Sequence, residues 1–132
     1  MIEVELILRL VISVTLGLMV GVERELSHKP AGLRTHALVS LGACLFTIIS
    51  IYSFSIDPAR IAASIVLGVG FIGAGSIIAT RGHIQGITTA ASLWIVAAIG
   101  LVVGTGNYLL ALVAAILVVL ILHIKKIELS KS

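Results

Sequence analysis

Side chains able to do chemistry are sparse in this chain and fall into three polar groups. The first is Glu23-Arg24-Glu25 with Lys29, Arg34 and His36. Arg34 stands where a helix is expected to begin, and the positive end of a helix dipole repels a cation. It therefore calls for a carboxylate partner, Glu23 or Glu25, or a lipid phosphate. The same group also reads as a basic loop that sets membrane topology, or as a contact for a partner protein or an anionic ligand. The second group is Glu3, Glu5 and Asp57 beside Arg9 and Arg60. Magnesium is usually held by one or two carboxylates while keeping several waters, so these acids are weak candidates for a loose Mg²⁺ site. The plainer reading makes Asp57 a helix cap paired with Arg60. The third group is Arg81-Gly-His83-Ile-Gln85 followed by Thr88 and Thr89. Either threonine can cap the helix that follows, and the free amides there with Arg81 would make an anion-binding corner.

Other chemistries fit poorly. Gly68, Gly70 and Gly73 match the glycine fingerprint of a dinucleotide-binding turn. That turn needs an acid roughly 20 residues on, and none occurs between Asp57 and Glu128. His28, His36, His83 and His123 lack metal-ligand spacing, and no nucleophile elbow surrounds Ser76. The residue inventory speaks against catalysis, and no cofactor is expected apart from a possible Mg²⁺. Cys44 is the single cysteine, so an internal disulfide is impossible.

The elements that must position these groups are membrane helices. The chain has 132 residues, 59% hydrophobic and 11% charged, with a mean hydropathy of +1.23. Runs of about 18–20 residues are apolar all round, which is the signature of a membrane span. The expected fold is all-α, one domain over 1–132, a bundle of about five transmembrane helices at about 6–22, 35–54, 59–79, 87–103 and 107–124. Asp57-Pro58 is a strong helix start. In the third span, Ser64, Gly68, Gly75 and Ala79 form one small-residue stripe and Ala63, Gly70 and Ala74 another. Small residues let helices approach closely in lipid, so this glycine-rich helix is expected at the centre of the bundle. Gly17/Gly21 and Gly100/Gly104 are further packing pairs, with Gly73 completing the glycine set. The spans show no polar stripe in sequence.

With five spans, Arg9 and Arg60 fall on one side, and Arg24, Lys29, Arg34, Arg81, Lys125, Lys126 and Lys131 on the other. The excess of basic residues places the C-terminus in the cytoplasm and the N-terminus outside. Those residues sit at span ends and in loops, so no nucleic-acid partner is expected from the net charge of +3.

Gly21-Val-Glu-Arg-Glu25, Lys29-Pro-Ala-Gly-Leu-Arg-Thr-His36, Asp57-Pro-Ala-Arg-Ile-Ala-Ala63, Gly68-Val-Gly-Phe-Ile-Gly-Ala-Gly75 and Gly86-Ile-Thr-Thr-Ala-Ala-Ser-Leu-Trp94 together resemble the MgtC/SapB family of bacterial membrane proteins. The resemblance runs through nearly the whole chain and marks Glu23, Arg24, Glu25, Arg34, Thr35, Asp57, Arg60, Thr88 and Thr89 as motif positions. It implies a five-span plasma-membrane protein tied to growth at low magnesium and to survival inside macrophages. It also implies the proton-translocating ATP synthase as one partner, while an older family label is magnesium transporter. The chain departs from the family pattern at Ser64 and Leu67, and with the sequence reaching Ser132 a short form without the soluble C-terminal domain of longer members is expected. Two main readings follow, with a purely structural homo-oligomer as a third. One is a regulatory or adaptor protein that contacts a larger membrane complex or a second copy of itself. The other is a transporter or channel for Mg²⁺ or another small ion.

Overall fold

The computed structural model describes residues 1–54, 56–80 and 82–130, with side chains at 1–54, 56–78 and 82–124. Five helices follow one another: α1 (Ile2–Leu26), α2 (Leu33–Ser53), α3 (Pro58–Gly75), α4 (Ile87–Gly104) and α5 (Tyr108–Ser130). The first four are long and apolar enough to cross a membrane, and α5 carries a shorter apolar stretch, Tyr108–Ile124. Pro58 at the first turn of α3 fits, since its missing N–H is unused there and its φ is already helical. The connection after α3 is more ordered than a plain turn. It is a small hairpin of β1 (Ile78–Thr80) and β2 (His83–Gln85), pairing Ile78 with Gln85 and Thr80 with His83. The hairpin begins where the third span was expected to continue, so α3 stops at Gly75. Gly86, at φ +91°, then turns the chain into α4 against the Ser76 carbonyl, where any Cβ would overlap that oxygen.

Successive helices run up and down, and two of them form the middle. Helix α2 is gripped from both sides by the two G-x-x-x-G pairs. On one side, a Cβ at Gly17 would lie 2.8 Å from the His36 carbonyl oxygen, and one at Gly21 would lie 2.8 Å from Leu33 Cα. On the other, Gly100 sits against the Ser40 carbonyl, and a Cβ at Gly104 would come within 2.7 Å of Thr47 Cβ. Helix α4 packs against each of the other four helices. Its buried face includes Leu93, Val96, Ile99 and Val103, and the last three meet Leu16 and Val20 of α1 and Ala111 and Ala115 of α5 in the main core.

The central place expected for α3 therefore belongs to α4 with α2. Helix α3 lies against α2 and α4 through a small separate core of Ile65, Val69, Ala43 and Ala97. Gly73 is its one close glycine, 3.3 Å from the Ala90 carbonyl measured from an added Cβ. Gly68, Gly70 and Gly75 have open space where a side chain would stand, and Ser64 is exposed. The small-residue stripes are real, but most of their length faces away from the rest of the chain. Spacing along one helix says which residues share a face; it does not say what stands opposite that face.

Candidate functional site

The polar side chains absent from any stripe in the sequence come together inside the bundle. Arg9, Ser13, Glu23 and Arg24 of α1, His36, Ser40, Thr47 and Ser50 of α2, and Thr89 and Ser92 of α4 are all buried. Their apolar neighbours conceal them in a hydropathy reading, because apart from the adjacent Glu23 and Arg24 each stands at least three residues from the next on its helix. Most hydroxyls are already committed to backbone oxygens. Ser13 donates to Leu10 at 2.8 Å, Ser40 to Ser13 at 2.7 Å, Thr47 to Ala43 at 2.7 Å and Ser50 to Pro58 at 2.9 Å.

The densest polar corner lies where α1 ends and α2 and α4 begin. Arg24 stands in the last turn of α1, where a cation is favoured. Its Nη2 donates to Thr89 Oγ1 of α4 at 3.1 Å. Glu23 approaches from the other edge of the guanidinium, Oε2 to Nη1 at 3.7 Å, and both side chains are 4% exposed. That spacing is an ion pair without a hydrogen bond. Ser27 donates to Glu23 Oε1 at 2.8 Å, while Glu23 Oε2 and Arg24 Nε have no hydrogen-bond partner. A carboxylate and a guanidinium this deep are strongly destabilising when separated, about 3–5 kcal/mol if one partner is removed.

His36 closes the corner. Its Nδ1 lies 2.9 Å from the Gly32 carbonyl, which can only accept, so Nδ1 carries the proton and donates. The Nε2 is then free to accept from the Ser92 hydroxyl at 2.9 Å. Ser92 also stands 2.8 Å from the Thr89 carbonyl, so its single proton is shared between two acceptors. Through these contacts α1, α2 and α4 are joined by polar bonds at one end of the bundle.

At the opposite end stands the second buried arginine. Arg9 Nη1 donates to the Gly104 carbonyl at 2.8 Å, at the C-terminus of α4, and Nη2 pairs with Glu5. Its guanidinium also lies 5.8 Å from the Tyr52 ring centre. Helix dipole and charge agree here, in contrast to Arg24 at the start of the same helix.

Several expected partnerships are replaced by others. Arg34 is exposed and forms no ion pair among the described residues; Glu23 takes Arg24 instead. Glu25 Oε2 accepts from the Leu33 amide at 3.1 Å and so caps α2, satisfying a backbone donor rather than Arg34. Thr35 lies half-buried in the first turn of α2. Neither Thr88 nor Thr89 caps α4: the cap position is Gly86, Thr88 is exposed and Thr89 is turned inward to Arg24. Asp57 occupies the cap position of α3 without a side-chain cap bond and pairs with Arg60 at 3.8 Å, both exposed. Glu3, Glu5 and Asp57 do not converge, and no group of three His, Cys, Asp or Glu is placed to hold a metal among the described residues. Arg81, with the side chains of Lys125, Lys126, Glu128 and Lys131, lies outside the described residues.

Ser92 was invisible in the sequence because nothing local distinguishes a serine facing a histidine from one facing lipid. The signal available was helical spacing alone: Thr89 and Ser92 share a face at i, i+3.

Comparison with known proteins completes the picture. A family model described as the MgtC family matches residues 10–129. The chain is 43% identical over 129 residues to YhiD of Escherichia coli K12, whose name includes the words "magnesium transporter", covering 91% of this chain and 60% of that protein. It is 44% identical over 112 residues to the protein MgtC of Salmonella typhimurium LT2, covering 85% of this chain and 48% of MgtC. It is 40% identical over 117 residues to the protein SapB of Bacillus subtilis 168, covering 81% of this chain and 50% of SapB. The chain thus spans about half of MgtC and SapB and somewhat more of YhiD. No solved structure matches. With nine-tenths of its length matched and four long apolar helices, this chain is a membrane protein and belongs to the MgtC family.

Proposed function

We infer that this chain is a regulatory or adaptor membrane protein that acts by helix contact with a membrane partner, either a larger complex or a second copy of itself. The observation that supports this reading is the free face of α3. Gly68 and Gly70 each weaken a helix by roughly 0.5–1 kcal/mol relative to alanine, and nothing among the described residues packs on either in return. The glycines of the two G-x-x-x-G pairs, Gly17, Gly21, Gly100 and Gly104, lie where another helix presses close, whereas Gly42 of α2 is open as well. A partner helix laid against Gly68 and Gly75, which share one face, would give them the same use. By family resemblance the ATP synthase is one such complex, and the setting is adaptation to scarce magnesium or to intracellular stress. The cytoplasmic C-terminus and outer N-terminus, read from the basic residues, belong to the same proposal.

A second reading, transport of Mg²⁺ or another small ion, draws on the name of YhiD and on the interior polar side chains of α1, α2 and α4. Against it, the hydroxyls of Ser13, Ser40, Thr47 and Ser50 already donate to backbone carbonyls, and an ion at membrane depth needs several free oxygens. Purified protein in liposomes loaded with a Mg²⁺-sensitive dye separates the two. The adaptor reading expects no protein-dependent Mg²⁺ entry. Saturable entry that is lost in Glu23→Ala or Asp57→Ala would replace it with transport.

A further inference from the structure

We propose that the first turn of α4 and the inner edge of Arg24 form a binding site for a phosphate group. A guanidinium grips an oxyanion best side-on, through Nε and Nη2 together. In this chain that edge faces α4: Nη2 lies on Thr89 Oγ1, in the helix's first turn, and Nε has no partner among the described residues although Arg24 is 3% exposed. The helix end it faces is itself unsatisfied. Among the described residues no side chain caps α4, Gly86 has none to offer, and Thr89 has turned its hydroxyl to Arg24. The amides of Ile87, Thr88 and Thr89 are therefore donors at the positive end of an 18-residue helix. Ile87 and Thr88 are exposed, so the corner has an open side.

Glu23 does not occupy this place. It stands behind the guanidinium at Nη1, where it holds Arg24 against the opposing dipole of α4, and Ser27 satisfies one of its oxygens. A tetrahedral oxyanion, with oxygens to spare for both a side-on guanidinium and helix amides, suits this pair of donors better than a planar carboxylate. The position at one end of the apolar helices is also the level at which lipid phosphates lie, so the group comes from a lipid headgroup or from free phosphate. The site is separate from the free face of α3 and stands whether or not that face binds a partner.

Protein labelled with ¹⁵N at arginine, purified in a neutral detergent, reports each Nε–H directly. Phosphatidic acid in mixed micelles and inorganic phosphate are titrated separately. The expected result is a saturable shift of the Arg24 Nε–H signal while that of Arg9, buried at the other end, stays in place. Saturation with phosphatidic acid alone identifies the headgroup as the source; saturation with inorganic phosphate identifies the free ion. Arg24→Lys keeps the charge but loses the fork and the reporting Nε–H, so in uniformly ¹⁵N-labelled protein it is followed through the backbone amides of Ile87 and Thr88; it should bind at least about tenfold more weakly, and Arg34→Gln in the exposed first turn of α2 should leave binding unchanged. No saturable shift with either probe, or equal weakening by Arg24→Lys and Arg34→Gln, overturns the proposal. The shift measurement needs no variant, so poor folding of Arg24→Lys does not rescue the idea.

Discussion

Helices α3 and α4 are both 18 residues long, both apolar and both marked by glycine, yet they play opposite parts. The glycines of α4 are filled from outside: Gly100 meets the Ser40 carbonyl and Gly104 meets Thr47. Those of α3 are, apart from Gly73, open. The burial follows. Residues buried in α4 run from Thr89 to Gly104, whereas α3 buries Ile65, Val69 and Gly73. Glycine content therefore measures a helix's capacity for close contact. Whether that capacity is used inside the chain depends on the other helices, and in α3 much of it is left for something else.

The sharpest way to break the contrast is to fill one glycine on each helix. Gly100→Leu forces a side chain into the Ser40 backbone and should destabilise the bundle by about 3 kcal/mol or more, seen as loss of monodisperse protein on size-exclusion in detergent. Equal yields for Gly100→Leu and Gly68→Leu would remove the distinction between the two helices.

At the start of α4, Arg24→Ala leaves Glu23 buried without a counter-charge and should cost about 3–5 kcal/mol in thermal or denaturant unfolding. Arg34→Ala, on an exposed side chain, should stay within about 0.5 kcal/mol. The reverse order would mean that Glu23 holds Arg34 after all. A smaller effect belongs to Ser92→Ala, which removes the donor to His36 Nε2 and should cost about 1–2 kcal/mol. Isosteric replacement by cysteine should recover part of it.

These comparisons also show what the sequence could and could not carry. Hydropathy made five helices legible, because an apolar run must end where charge, Pro58 or a turn glycine stops it, although α1 (Ile2–Leu26) and α5 (Tyr108–Ser130) extend past the apolar runs and α3 ends early at Gly75. The pairs Gly17/Gly21 and Gly100/Gly104 were legible as packing sites for the same reason, four-residue spacing on one face. The partner of each face was not. Glu23, Arg24 and Thr89 stand out as residue types, but the contact between Arg24 and Thr89 spans 65 positions. No local rule links them. The central role assigned to α3 failed on this point, since counting small residues weighs a free face as heavily as a packed one. Arg9, buried on Gly104, reads in sequence as a residue near a frayed end, because the helix terminus that holds it lies 95 positions away.

The smallest expected effect on folding is the most informative for function. Gly68→Leu and Gly75→Leu should each change stability by no more than about 0.5 kcal/mol in the isolated protein, since nothing stands within 4 Å of either position. The adaptor account rests on what those substitutions do in the membrane. A photo-crosslinking residue at Phe71, which is 83% exposed on α3, tests this in intact cells, with the same residue at Leu109 of α5, 74% exposed, as the reference. The account predicts one discrete adduct from position 71, of a mass set by a partner or a second copy, absent from position 109 and lost in the Gly68→Leu/Gly75→Leu variant at unchanged protein level. Diffuse lipid labelling alone from both positions, or an adduct that survives the double substitution, would contradict it.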